Sequence, residues 1–152
     1  MDLTIRPATT DDIDTLAPLF EGYRAFYERE ADPGRARDYL QARLQAADAT
    51  ALLAEVDRRV VGFALLYPGW SSLNMAPVLQ LSDLYVEPGA RARGAGRALL
   101  QACETFGIAR GAVRLQLETQ RTNTVAQALY TELGWELDEE FISFTMPLEN
   151  HP

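Results

Sequence analysis

Val86-Glu87-Pro88-Gly89-Ala90-Arg91-Ala92-Arg93-Gly94-Ala95-Gly96-Arg97-Ala98-Leu99-Leu100 is the stretch that decides the fold. An apolar strand from Val78 to Val86 runs into it and Glu87-Pro88-Gly89 stops that strand. An amphipathic helix then starts at the second glycine pair and reaches about Arg110, burying Leu99, Leu100, Cys103 and Phe106. Ala112 to Thr119 follows as a strand, with Val113, Leu115 and Leu117 on one face and Arg114, Gln116 and Glu118 on the other. Strand, helix and strand in this order predict a right-handed parallel crossover. Gly94 and Gly96 leave backbone amides uncovered where the helix's first N–H groups point outward, which makes an anion cradle. Arg91, Arg93 and Arg97 crowd the same end. Cations there oppose the helix dipole unless an anion compensates, so the turn reads as a polyphosphate site. The lysine of a P-loop is missing, and the third glycine of a dinucleotide fingerprint is Leu99.

Working outward, Leu3 to Arg6 is a short first strand. Thr9-Thr10-Asp11-Asp12 starts a helix with a hydroxyl cap and acids in its first turn. Its buried stripe is Ile13, Leu16, Ala17, Phe20, Tyr23 and Tyr27, widened by Leu19 and Phe26. Asp32-Pro33 starts a second helix, running to about Ala47. Ala51 to Val56 and Val60 to Tyr67 form a hairpin, closed off by Pro68-Gly69. A loop from Trp70 to about Pro77 carries Trp70 and Met75. After the crossover, Thr124 to Leu133 is a short helix with Val125, Ala128 and Leu129 inward, ended by Gly134 as a left-handed cap. Trp135 to Leu137 and Phe141 to Met146 predict a final strand pair. The expected fold is α/β, one domain over 1–150 in the order β-α-α-β-β-β-α-β-α-β-β. Its mixed, mostly antiparallel sheet has six to seven strands, with helices on both faces.

Composition removes whole classes of chemistry. The 152 residues include one Cys, one His (His151) and no Lys, so all 14 basic residues are Arg. Disulfide frameworks, thiolate or paired-histidine metal sites, Ser-His-Asp triads and lysine nucleophiles are out, and no metal is expected. Net charge is −8 and the pI near 4.6, which argues against nucleic acid and anionic membrane as partners. Residues 87–121 are the exception, with three acids against six Arg. No apolar run is long enough to span a membrane and the first residues do not read as a signal peptide, so a cytoplasmic location is the expectation.

Arg91-x-x-Gly94-x-Gly96, entered from Leu84-Tyr85-Val86, resembles the (Gln/Arg)-x-x-Gly-x-(Gly/Ala) signature of the GNAT superfamily of N-acetyltransferases. Asn123-x-x-Ala126-x-x-Leu129-Tyr130-x-x-Leu133-Gly134-Trp135 is similar to that family's second segment, and Ile5-Arg6-Pro7-Ala8-Thr9-x-x-Asp12 to its usual start. Tyr67-Pro68-x-Trp70-Ser71-Ser72 and Leu117-Glu118-Thr119 add a narrower likeness to a bacterial branch related to yeast histone acetyltransferase-like enzymes. The resemblance spans residues 3 to 147.

It implies acetyl-CoA as acyl donor, with its pyrophosphate on the amides of Arg91, Ala92, Arg93, Gly94, Ala95, Gly96 and Arg97. The pantetheine arm then lies along Leu84, Tyr85 and Val86 and touches Asn123, and an amide near Leu84 polarises the thioester carbonyl. Tyr130 corresponds to the family's tyrosine that protonates the departing thiolate, which a phenol can do. Its other reading is a core aromatic.

The attacking amine needs a base, because an alkylammonium of pKa about 10 is more than about 99% protonated at pH 7. Asp83, inside an apolar strand, and Glu118 are the carboxylates that mark a cleft, able to attract a cationic amine and relay its proton through water. The alternatives are a structural hydrogen bond for Asp83 and plain exposure for Glu118. Tyr23, Tyr27, Glu28 and Trp70 are candidates for an amine pocket, since aromatic faces and carboxylates both suit a cation; core packing competes for the two tyrosines. Cys103 reads as a small buried hydrophobe. The function implied is amine N-acetylation in a ternary complex, by an expected homodimer joined through the late strands. A protein amine as acceptor, or a non-catalytic acyl-CoA-binding module, are the alternatives.

Overall fold

The computed structural model describes residues 2–148, whose strands make one five-stranded sheet in spatial order β1-β2-β3-β4-β5. β1 (Leu3–Pro7), β2 (Thr50–Val56), β3 (Arg59–Ser71) and β4 (Ala76–Val86) are antiparallel neighbours; β5 (Leu115–Gln116) runs parallel to β4. Helices α1 (Ile13–Phe26) and α2 (Pro33–Ala46) join β1 to β2, α3 (Ala95–Ala109) joins β4 to β5, and α4 (Thr124–Glu132) follows. The mixed, mostly antiparallel α/β sheet is as expected, with five strands in place of six or seven.

Local chemistry sets the helix starts. Thr9 and Asp12 form a capping box: Thr9 Oγ1 accepts from Asp11 N–H (3.2 Å) and Asp12 Oδ2 accepts from Thr9 N–H (2.8 Å). The Asp32 carboxylate accepts from Arg35 N–H (3.3 Å), and Pro33 occupies the first turn of α2, where a missing N–H costs nothing. Arg6 ties β1 to both neighbours, through a forked pair with Asp12 (2.8 and 3.0 Å) and a bond to Glu55 (2.6 Å).

Two apolar layers sandwich the sheet. Leu16, Phe20 and Leu40 from α1 and α2 pack with Leu53, Phe63 and Leu65 on one face. Alternation turns Leu52, Ala64 and Leu66 to the other face, where α3 packs. There a Cβ on Gly107 of α3 would stand 3.1 Å from Leu115 and 3.6 Å from Leu79.

The parity of β4 changes midway. Leu66 pairs with Leu81 but Leu65 with Asp83, so Ser82 is an extra, unpaired residue, a β-bulge. Leu79 and Leu81 therefore face α3, whereas Asp83 and Tyr85 face α1 and α2. Tyr85 meets α1 at Gly22, whose added Cβ would lie 2.8 Å from the tyrosine hydroxyl.

Four expectations are corrected. The stretch from Trp70 to Pro77 is no loop: β3 continues through Pro68 and Gly69 to Ser71, and a four-residue turn leads into β4. Proline is tolerated because β2 ends at Thr50, opposite Leu66, so at Pro68 one edge of β3 has no neighbour expecting an N–H. The strand from Ala112 to Thr119 shrinks to Leu115–Gln116, its ladder ending at Gln80, two residues before the bulge bends β4 away. The closing strand pair over 135–146 does not form among the described residues: no ladder partner is present, and Leu137, Ile142, Phe144 and Met146 are exposed. Val125 and Ala128 are exposed rather than inward. The last segment, beginning at Thr119, is a compact unit of its own.

Candidate functional site

A cleft of about 440 Å³ opens between α1, α2 and the middle of β3 and β4. Phe20, Tyr23, Tyr27, Tyr39 and Tyr67 form its walls, and Asp83, Ser82, Arg24 and Arg29 complete it. The α1 periodicity puts Phe20, Tyr23 and Tyr27 on one side at three- and four-residue spacing. Their rings stack and tilt in sequence, Phe20 to Tyr23 at 6.3 Å and Tyr23 to Tyr27 at 5.2 Å between centroids. Across the cleft the hydroxyls of Tyr39 and Tyr67 hydrogen-bond to each other.

Asp83 is the ionisable group at the floor, 8% exposed. Burial pushes its carboxyl pKa up, and hydrogen bonds from the Tyr23 and Ser82 side chains partly counter that. The Tyr23 hydroxyl shares its one proton with Ser82 O, 3.4 Å away. Burial and the bond to Tyr39 raise the Tyr67 phenol as well, so it stays protonated. A raised carboxylate in an aromatic cage attracts an ammonium ion and can receive its proton.

The structure brings together Tyr23, Tyr27 and Asp83 from the residues marked for amine binding. Glu28 is exposed just past α1, with φ 59°, and does not line the cleft. Trp70 is 78% exposed near the tip of the β3–β4 ribbon, and Glu118 is exposed beyond the end of β5; neither reaches the cleft. Phe20, Tyr39 and Tyr67 were readable from the sequence only as core or strand. The available signal was the phenol of α2, Tyr39, whose hydroxyl can pair with another phenol across a cleft.

The glycine–arginine turn lies past the far end of β4. Gly94 caps α3 with φ 86°, and no side chain caps the helix. Ala98 N–H closes the first helical bond, onto Gly94 O at 2.9 Å, so the amides of Ala95 and Gly96 before it have no acceptor inside the helix. A Cβ on Gly94 or Gly96 would meet nothing within 4 Å, so an anion has room to approach these amides. Arg93 is exposed. Arg91 is committed instead: its Nε donates to Val86 O (2.7 Å), its guanidinium lies over the Tyr85 and Phe26 rings, and its own N–H donates to Pro88 O (3.4 Å). It pins the turn to the strand.

From Leu81 to Val86 the outer edge of β4 has no ladder partner among the described residues. Glu87 N–H donates to Val61 O (2.8 Å), so alternation turns the N–H groups of Val86 and Leu84 toward that open edge. Within the last unit, the Asn123 side chain caps α4, accepting from Ala126 N–H at 3.3 Å. Tyr130 sits on α4 with its ring 6.0 Å from Trp135. Burial pushes the Cys103 thiol up to about 12, which leaves it inert as a nucleophile. Among the described residues no cluster of three His, Cys, Asp or Glu could hold a metal, and no helix is long and apolar enough to cross a membrane.

Residues 16–135 match the family described as "Acetyltransferase (GNAT) family". The chain is 39% identical over 144 residues to an uncharacterized N-acetyltransferase, YhfO, of Bacillus subtilis (strain 168), covering 95% of this chain and 97% of that one. It is 31% identical over 149 residues to an aminoglycoside N(6')-acetyltransferase type 1 of Stenotrophomonas maltophilia, covering 96% and 94%. A crystal structure of a probable acetyltransferase superposes with TM-score 0.93 at 37% identity, covering 97% of this chain and 99% of that one.

Proposed function

This chain belongs to the GNAT family of acetyltransferases, and on that premise we propose that it transfers the acetyl group of acetyl-CoA to a primary amine by direct attack in a ternary complex. One observation carries the reading. A single strand, β4, presents a buried carboxylate to an aromatic cleft at Asp83 and, from the next residue on, an unpaired edge leading to the amides of Ala95 and Gly96. In this reading acceptor and donor meet at adjacent residues of one strand, the acceptor in the cleft and the donor along the open edge.

Acetyl-CoA, as co-substrate, supplies the activated acetyl group. In this reading its pyrophosphate rests on the first-turn amides of α3, with Arg93 and Arg97 adding charge, and Arg91 holds the turn in place. Leu84 and Val86 offer their N–H groups to the pantetheine arm and the thioester oxygen, where fixed dipoles favour developing negative charge. Asp83 attracts the ammonium and takes its proton through the cleft's hydroxyls or water. Glu118 belongs to the proposal only as a charge outside the cleft. By family resemblance Tyr130 gives a proton to the departing thiolate, and Asn123, beside its capping bond, contacts the arm. Residues 1–150 act as one functional domain, since the family match runs from 16 to 135 across the last unit's start. The exposed apolar side chains of Phe141, Ile142, Phe144 and Met146 support a homodimer formed over that segment.

Thiol release from acetyl-CoA is the test, across spermidine, a lysine-containing peptide and an aminoglycoside; the Stenotrophomonas relative's name supports including the last. Release with a small amine supports the proposal, and release with the peptide alone moves the acceptor to a protein. Saturable CoA binding without release on any amine makes the chain a binding module instead.

A further inference from the structure

Resting on the acetyltransferase reading, we infer that the acceptor is a zwitterion of amino-acid type, bearing an anionic group beside its amine, and that Arg29 reads the anion. Opposite charges line the cleft at two places. Asp83 offers one buried carboxylate at the floor, while the other ionisable side chains apart from the tyrosines are Arg24 and Arg29. Two guanidiniums to one carboxylate reverse the balance of a chain whose net charge is −8.

The two arginines differ in what they already hold. Arg24 Nη1 donates to Glu21 Oε1 (2.8 Å) and to Glu30 O (2.9 Å), so a carboxylate and a carbonyl compensate it. Arg29 is exposed, and no ion pair or side-chain hydrogen bond joins it to another described residue. Its backbone is nevertheless fixed: Arg29 N–H donates to Arg24 O (3.0 Å), and Glu28 before it turns through φ 59°. The turn thus delivers an uncompensated guanidinium to the cleft while Glu28 does not line it.

A second ammonium in this cleft would meet Arg29 rather than another carboxylate. A carboxylate meets a planar fork that binds it through two parallel bonds. About 440 Å³ suits a metabolite-sized acceptor.

The test measures kcat/KM with saturating acetyl-CoA for amines that differ by one carboxylate: lysine against cadaverine, and phenylalanine against phenethylamine. The native protein should prefer the carboxylated member of at least one pair by roughly tenfold or more, the scale of one charge-assisted hydrogen bond. Arg29→Glu should reverse that order, lowering the carboxylated acceptor and raising its decarboxylated partner. A native preference for the decarboxylated amines, or a ratio that Arg29→Glu leaves in place, overturns the assignment while acetyl transfer stands. Release with none of the four while spermidine, an aminoglycoside or a lysine-containing peptide is acetylated overturns this inference alone; no release with any of these amines overturns the acetyltransferase reading with it.

Discussion

Adding one methyl group at Gly94 and one at Gly96 should have opposite effects, though the positions are two residues apart. At Gly94 the backbone holds φ 86°, and nothing lies within 4 Å of a new Cβ. The penalty of Gly94→Ala is therefore purely conformational, about 1–2 kcal/mol for an L-residue held left-handed. At Gly96, inside α3, the space is equally open and the backbone helical. Gly96→Ala should stabilise by about 0.5–1 kcal/mol, because alanine loses less backbone entropy on folding. For a chain of this length each kcal/mol moves Tm by roughly 2–4 °C. Thermal unfolding should thus show Gly94→Ala lower by about 2–8 °C and Gly96→Ala higher by about 1–4 °C. Calorimetric titration with CoA supplies the second readout. Relaxing Gly94 out of its left-handed turn re-aims the amides of Ala95 and Gly96, and losing a charge-assisted bond should weaken CoA about ten- to hundredfold. Gly96→Ala should bind CoA nearly as the parent does. Equal CoA affinity in all three proteins would refute the assignment of the phosphate to this turn.

Three further outcomes follow from named groups. Burial raises the Asp83 pKa above its unfolded value, so its stabilising contribution is present at low pH and lost as pH rises through the folded pKa. Asp83→Asn should then melt higher than the parent at pH 8, with the gap closing below the ordinary carboxylate pKa of about 4, while the acceptor KM rises; a lower melt at pH 8 contradicts the sign. Tyr130→Phe should lower kcat by about ten- to hundredfold with CoA affinity retained, and a parental kcat removes the hydroxyl from the mechanism. Asp12 is shifted the other way: the bond from Arg6 holds its carboxyl below the usual range, so its contribution is present above the unfolded pKa and lost as pH falls through the folded one. Asp12→Asn should cost about 0.5–1 kcal/mol at pH 7, allowing for solvent screening at Arg6, and progressively less as pH falls through the folded pKa, as followed by urea unfolding over a falling pH series.

The helices and the glycine turn were legible because their signals are local. Asp32-Pro33 marks a cap and a first turn whatever packs around it, and Gly94 marks a left-handed residue without reference to any partner. Asp83 was legible for a different reason: a carboxylate in an apolar strand conflicts with its neighbours and asks to be explained. What failed depended on remote partners. Pro68-Gly69 reads as a stop, yet β3 runs on because β2 has already ended opposite Leu66. Phe141 to Met146 alternates like a strand, but alternation does not supply a ladder partner. Trp70 read as a pocket wall because an aromatic face suits a cation, and the extended ribbon carries it outward instead. Tyr39 and Tyr67 were hidden by regularity, since each fits its own element's period and only the folded sheet sets one hydroxyl against the other.

The unpaired Ser82 makes odd-numbered positions of β4 address two different environments, oil beneath α3 before it and polar chemistry after it. Orientation and curvature are separable here. Deleting Ser82 would leave Leu81 opposite Leu66 and Asp83 opposite Leu65, so every side chain would keep its layer while the strand lost its bend and Tyr23 its carbonyl partner. Such a shortened chain distinguishes a reaction centre that needs only correctly aimed groups from one that also needs its edge pulled open, a distinction that replacing any single side chain does not reach.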